Sequence, residues 1–153
     1  MPSGAHETLS LMVVDDHEPD RMLVEEAFAL LPYPVRIYCC STGPEALAWL
    51  RDPARPRPDV ILLDLNMPLM TGFDVLQAIR DDPALSAQPV VILSTSDVPD
   101  DIRRAYHLRA GAYCVKRVDF AGLLQQVEAM VRFWQHARFP HWPAGQTAGA
   151  SEA

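Results

Sequence analysis

Five short apolar runs, separated by segments of helical period, constrain the fold of this chain more than any other feature. The runs cover residues 9–15, 35–40, 60–64, 89–94 and 112–116. Within the first, third and fourth runs, residues 11–14, 60–63 and 90–93 are apolar throughout rather than alternating, as is typical of strands buried on both faces. This strand and helix alternation predicts an α/β fold in which helices cover both faces of a parallel sheet.

The segments between the runs have recognisable helix boundaries. We expect a first helix over about 19–31, a second from Gly43 through Trp49, and a third from near Gly72. Ser96 and Asp97 are expected to cap the fourth helix. Residues 120–134 carry apolar side chains at spacings of one, three and four, which predicts a fifth helix with an apolar stripe.

Length and charge limit the class of protein. A chain of 153 residues fits one domain, and we expect a flexible segment over 1–8, a folded domain over 9–138 and a mostly disordered tail over 139–153. The net charge of -7 argues against nucleic-acid binding, which depends on Lys and Arg. No signal segment or membrane-length apolar run occurs, so we expect a cytoplasmic protein without a membrane partner.

The cysteines point to neither a metal site nor a disulfide. Cys39, Cys40 and Cys114 form an odd set without a CxxC pair. Cys39 and Cys40 are neighbours in a predicted strand, so their side chains should point to opposite faces of the sheet. We interpret all three as small buried hydrophobic residues.

Polar side chains end four of the five apolar runs. Asp15 and Asp16 end the first run, Asp64 the third, Ser94 the fourth and Lys116 the fifth. The carboxyl ends of parallel strands lie at one edge of the sheet, where ligands bind. Clustered carboxylates repel each other by roughly 4 kcal/mol per pair at an effective dielectric near 20, which favours binding of a hard cation such as Mg²⁺. The ammonium and hydroxyl groups would stabilise a transferring phosphoryl group.

Four segments carry a family resemblance. LMVVDDHEPD, VILLDLNMPLMTGFDVL, PVVILSTSD and GAYCVK resemble, in order, the signature segments of the receiver domains of bacterial two-component response regulators, over roughly residues 9–134. The resemblance implies a doubly wound, flavodoxin-like sheet of strand order 2-1-3-4-5. It also implies Mg²⁺-dependent transfer of a phosphoryl group from a sensor histidine kinase. The layout resembles the stand-alone regulators that serve phytochrome-type kinases.

The same resemblance implies a metal-binding set. Asp64 looks like the phosphoacceptor and a metal ligand. Asp15 and Asp16 look like the metal-binding acid pair, with Asp16 as the direct ligand, and Asn66 would offer its backbone carbonyl to the same ion. Taken alone, Asp15 and Asp16 could equally cap a helix.

Four further residues match family roles. Ser94 matches the hydroxyl residue that bonds to the phosphoryl group, and Lys116 matches the lysine that pairs with it. Tyr113 matches the aromatic residue that switches together with Ser94, although a strand tyrosine is often merely packed. Thr95 would line the pocket entrance. Such a protein is not an enzyme with a separate substrate, since it catalyses its own phosphorylation and dephosphorylation.

The expected output is a change in protein contacts. We expect phosphorylation to alter the surface formed by the fourth helix, the fifth strand and the fifth helix, and this surface to form a homodimer or bind a downstream protein. The aromatic residues Phe133, Trp134, Phe139 and Trp142 exceed the needs of one small core. Either they fold back on the domain or they are buried in a partner.

One departure and two rival functions remain. Arg117 follows Lys116 where the family usually has proline, so we predict a trans peptide at this bond. An aspartyl-phosphate phosphatase or mutase would use Asp64 as nucleophile, but Asn66 stands where such enzymes usually place a general acid. The other rival is a binding module that has the same fold but is not phosphorylated.

Overall fold

The computed structural model describes residues 8–140, which form a five-stranded parallel sheet with helices on both faces. The strands are β1 (Leu9–Val14), β2 (Val35–Cys40), β3 (Val60–Leu63), β4 (Val90–Ser94) and β5 (Ala112–Val115). The helices are α1 (Glu18–Ala29), α2 (Gly43–Arg51), α3 (Gly72–Asp81), α4 (Pro99–His107) and α5 (Phe120–Trp134). The strand order is β2-β1-β3-β4-β5, so the expected fold is confirmed.

Side chains alternate along the strands between two core clusters. Met12 and Ile61 belong to the first cluster, which also contains buried residues of α2 and α3, whereas Leu11 and Leu62 belong to the second, which contains residues of α1 and α5. Strands with apolar residues on both faces therefore lie at the centre of the sheet. Cys40 lies in the first cluster and Cys39 packs against the second, so the prediction that they face opposite sides is confirmed.

The expected cap of α4 is wrong. Val98 occupies the N-cap position and no side chain there accepts a hydrogen bond. Ser96 instead donates its hydroxyl to Asp101 Oδ2 at 2.7 Å, which ties the loop before α4 to the first turn of that helix. The same hydroxyl accepts a long hydrogen bond of 3.4 Å from the backbone amide of Val98, so Ser96 contacts the start of α4 without occupying its N-cap position.

The C-terminal aromatic residues divide between the core and the surface. Trp134 is buried in the second cluster and Phe139 packs against it, so packing reaches into the segment where we expected the tail to begin. Phe133 is 70% exposed. Residues 1–7 and 141–153, including Trp142, lie outside the described residues. The flexible N-terminus and the disordered tail therefore stay predictions there.

Two sequence-based expectations concern the backbone and the membrane. Within residues 8–140 no peptide bond is cis, so the trans bond predicted between Lys116 and Arg117 is found. In the same part of the chain, every helix is too short or too polar to cross a membrane.

Candidate functional site

Backbone hydrogen bonds at the strand ends bring the predicted site residues to one edge of the sheet. The amide of Asp15 donates to the carbonyl of Cys40 at 3.1 Å, and that of Asp64 to Val14 at 3.0 Å. The amide of Lys116 donates to Ser94 at 2.7 Å. The parallel ladders thus continue one residue beyond the strands, which places both acids and the lysine in register.

Three carboxylates meet at this edge. Asp15, Asp16 and Asp64 each offer a ligand oxygen, and these oxygens all lie within 4.8 Å of one another. Asp15 is buried, Asp16 is exposed and Asp64 is intermediate between them. An all-oxygen donor set with one side open to solvent fits a hard divalent cation that retains waters or phosphate oxygens.

Asp15 is held by groups on both of its carboxylate oxygens. Oδ2 accepts a hydrogen bond from Lys116 Nζ at 2.9 Å, and Oδ1 accepts one from the backbone amide of His17 at 2.9 Å. Arg21 donates to the carbonyl oxygen of Asp15 at 2.7 Å. Asp15 is therefore fixed in place, while Asp16 projects into solvent beside it.

Burial and neighbouring charge control the protonation of Asp64. Desolvation raises the pKa of its carboxyl, and the negative charge of Asp15 raises it further. Lys116 and hydrogen bonds from the Asn66 amide and the Ser94 side chain act in the opposite direction without cancelling the rise in pKa. Asp64 is thus a carboxylate whose negative charge is poorly compensated by the protein alone.

Lys116 remains charged in spite of its burial. Desolvation acts to lower its pKa, but the carboxylates of Asp15, Asp64 and Asp20 outweigh it, so the net shift is upward. The side chain is only 8% exposed. The site therefore holds a permanent ammonium group beside its acids.

Ser94 connects the acidic edge to the loop before α4. Its hydroxyl is buried and accepts a hydrogen bond from the amide of Ser96 at 3.3 Å; the Asn66 amide nitrogen lies 3.5 Å away. Tyr113 donates its hydroxyl to the carbonyl of Ser96 at 2.8 Å while its ring packs against the first core cluster. Ser94 and Tyr113 thus both contact Ser96.

Beside Lys116, an apolar cleft of about 190 Å³ opens between α1 and the start of α5. Thr95, Leu23, Val118 and Phe120 are among the residues that line it. Thr95 is exposed at this cleft, next to Lys116, on the side where a pocket entrance was expected. The cleft gives an approach to the site along a mainly apolar wall.

The sequence analysis missed Asp20. Its carboxylate Oδ2 lies 3.6 Å from Lys116 Nζ and is the second acid that pairs with this lysine. Asp20 lies in the first turn of α1 whereas Lys116 follows β5, so no local spacing in the sequence links the two residues. His17, the N-cap residue of α1, is 62% exposed, and its Nδ1 lies 3.2 Å from Asp20 Oδ1.

A doubly wound sheet that carries an acid cluster and a lysine at its carboxyl edge defines a receiver module. The sequence profile of the response regulator receiver domain matches residues 11–128. The chain therefore belongs to this family and is a receiver-domain response regulator of two-component systems. Receiver domains bind divalent metal ions, interact with histidine kinases and generally act as signalling modules rather than enzymes.

Three relatives show where the chain falls within the family. It is 35% identical to the probable methanogenesis regulatory protein FilR2 of Methanothrix harundinacea, over 85% of this chain and 86% of that protein. The phosphorylated cyanobacterial phytochrome response regulator RcpA shares 37% sequence identity with this chain. Its structure matches with a TM-score of 0.80 and covers 88% of this chain and 100% of RcpA. The Mn²⁺-bound response regulator Rcp1, a Synechocystis protein, is 31% identical with a TM-score of 0.79 over 87% and 99%.

Proposed function

We propose that this protein accepts a phosphoryl group from a sensor histidine kinase on Asp64, in a Mg²⁺-dependent reaction, and signals through altered protein contacts. The observation that carries the proposal is the position of the Asp64 carboxylate, which is partly buried and lies among two other acids and the Lys116 ammonium. The phosphorylated state of RcpA and the Mn²⁺-bound state of Rcp1 support it by similarity.

The metal would be held by Asp16, Asp64 and the backbone carbonyl of Asn66. Asp15 already accepts hydrogen bonds on both oxygens, so we assign it to orient Lys116 and add charge, and Asp16 to direct ligation. The donor set suits Mg²⁺, which prefers carboxylate, carbonyl and water oxygens. When bound, Mg²⁺ would supply positive charge to the oxygens of the transferring phosphoryl group.

In the transfer step, an Asp64 oxygen forms a bond to phosphorus as the bond from phosphorus to the imidazole nitrogen of the kinase breaks. The imidazole retains the electron pair of that bond, and the product is an acyl phosphate on Asp64. Lys116 and Ser94 would donate hydrogen bonds to the phosphoryl oxygens, which stabilises charge at the reacting centre. Thr95 would control the access of water and of the kinase from the adjacent cleft.

The output would pass from Ser94 to Tyr113 and α4. A phosphoryl group that draws the Ser94 hydroxyl toward Asp64 would disturb its contact with Ser96, to which Tyr113 also bonds. Exposed apolar side chains on α4, β5 and α5 would then form the responsive surface; they are Tyr106, Val115 and Phe133. We propose that this surface forms a homodimer or binds a downstream protein.

Labelling by acetyl phosphate tests the central step. Wild-type protein incubated with acetyl phosphate and Mg²⁺ should gain the mass of one phosphate, and Asp64→Asn or a chelator should abolish the gain. Asp81→Asn, an exposed acid in α3, serves as the matched control and should label normally. Labelling that persists in Asp64→Asn, or none in the wild type, would refute the proposal.

Two further assays test the phosphatase alternative and the class of the donor kinase. Turnover of generic phosphate esters would indicate the phosphatase alternative, which Asn66 disfavours because it provides no general acid. Similarity to a phytochrome response regulator leads us to propose a phytochrome-type kinase as donor. Transfer profiling against several purified histidine kinases should show the fastest transfer from that type.

A further inference from the structure

Asp20 binds two partners at the edge of the site. It lies in the first turn of α1, its Oδ1 is 3.2 Å from His17 Nδ1 and its Oδ2 is 3.6 Å from Lys116 Nζ. The side chain is 36% exposed, in contrast to the buried Asp15. Each oxygen therefore has its own partner, which orients the carboxylate toward the lysine.

Lys116 Nζ donates a hydrogen bond to Asp15 and forms a longer ion pair with Asp20 at 3.6 Å. An ammonium group carries three N–H donors, and one of them is committed to Asp15 at 2.9 Å. Within the described part of the chain, the ion pairs of Lys116 are those with Asp15 and Asp20, while Asp64 influences it over a longer distance. The attraction between the Lys116 ammonium and the Asp20 carboxylate opposes movement of the ammonium toward a phosphoryl group on Asp64.

We propose that Asp20 is a positioning residue that restrains Lys116 at the open edge of the site and thereby slows phosphorylation of Asp64. The negative charge of Asp20 would also slow phosphorylation, because it repels an incoming phosphate anion. This inference rests on the proposed function of Asp64 as phosphoacceptor.

Asp20 could also act only by stabilising α1, and the test has to distinguish that structural role from its proposed effect on Lys116. Acidic residues in the first turn of a helix stabilise it through the helix dipole, and α1 has both Glu18 and Asp20 there. Glu18 is exposed and lies in the same turn. Glu18→Gln therefore removes the same charge from the same helix end and is the matched control for Asp20→Asn.

The test measures the rate of labelling by acetyl phosphate at saturating Mg²⁺. In this reaction an Asp64 oxygen bonds to phosphorus, the bond from phosphorus to the acetate oxygen breaks, and acetate leaves with the electron pair. Asp20→Asn should label about two- to fivefold faster than the wild type, as loss of a partly exposed ion pair allows. Asp20→Glu retains the carboxylate and should restore a rate near that of the wild type, as should Glu18→Gln.

The outcomes distinguish this inference from the function on which it rests. A wild type that fails to label refutes the assignment of Asp64 and this inference together. A wild type that labels, with Asp20→Asn no faster, refutes only the role of Asp20. Equal acceleration by Glu18→Gln also refutes it, because net charge would then explain the effect. Loss of folded protein would slow labelling, so acceleration cannot arise from a damaged fold.

Discussion

At the scale of single residues, the site combines one poorly compensated acid with one well-compensated base. Lys116 is surrounded by acids that keep it charged, whereas Asp64 is desolvated and faces the negative charge of Asp15. The ionised form of Asp64 therefore lowers the free energy of unfolding. Binding of a cation would relieve that cost, which links metal binding to the stability of the fold.

This imbalance predicts how stability depends on pH in the absence of divalent metal. The pKa of Asp64 is raised above its ordinary value of 3.8, so the folded state binds a proton more tightly than the unfolded state. Stability from this group is therefore lost as pH rises through the window above 3.8. Asp64→Asn should become increasingly more stable than the wild type from acidic to neutral pH, measured by urea unfolding with a chelator.

Asp119→Asn provides a control with the opposite sign. The backbone amide of Gly122 donates to Asp119 and holds the pKa of that carboxyl below its ordinary value. Asp119→Asn should therefore lose stability relative to the wild type as pH rises. A stability difference for Asp64→Asn that stays constant or shrinks with rising pH would contradict the prediction.

At the scale of secondary-structure elements, the junction of β3 and α3 fixes the geometry of the site. Thr71 and Asp74 form a capping box at the start of α3, and the Gly72 amide donates to the Leu65 carbonyl at 3.0 Å. A Cβ atom on Gly72 would lie 2.3 Å from the carbonyl oxygen of Asp64. The helix therefore approaches the backbone of Asp64, the proposed phosphoacceptor, as closely as a glycine permits.

Gly72→Ala should consequently damage both the fold and the site. Displacement of backbone atoms should lower the free energy of unfolding by about 2 to 3 kcal/mol. It should also weaken Mg²⁺ binding measured by calorimetry, because Asp64 and Asn66 move with the loop. Gly111→Ala is the control, since its Cβ would meet only the Val90 carbonyl oxygen at an ordinary 3.5 Å. Equal effects from the two substitutions would show that close approach at Gly72 is unimportant.

At the scale of the whole molecule, the surface formed by α4, β5 and α5 exposes apolar side chains within residues 8–140. Phe133 on α5 is 70% exposed, whereas its neighbour Trp134 is buried. If this surface forms the proposed homodimer, Phe133→Asp should weaken dimerisation at least about tenfold, equivalent to about 1.4 kcal/mol. Light scattering over a concentration series, with acetyl phosphate and Mg²⁺ present, measures this change.

Leu30→Asp is the matched control for the dimer prediction. Leu30 is 60% exposed at the end of α1 and lies outside the proposed surface, so the substitution should leave dimerisation unchanged. Both variants should still be labelled by acetyl phosphate. A wild type that remains monomeric at high concentration in the phosphorylated state would contradict the homodimer.

Local sequence patterns were enough to predict the sheet and the edge at which its candidate site residues lie. Uninterrupted apolar runs predict strands buried on both faces, and polar residues that directly follow such strands must emerge at one edge. Asp15, Asp64 and Lys116 could be placed together for this reason. The periodicity of side chains along a strand also predicted that Cys39 and Cys40 face opposite clusters.

The pairing of groups at that edge, and the exposure of each surface, depend instead on contacts between elements that are distant in sequence. Asp20 reaches Lys116 because α1 packs against α5, the helix that follows β5 and Lys116, and Ser96 bonds to Asp101 rather than capping α4. The burial of Trp134 and exposure of Phe133 depend in the same way on the direction in which α5 faces the sheet. Local sequence patterns specify which way residues point along an element, whereas contacts between distant elements depend on how those elements pack in three dimensions.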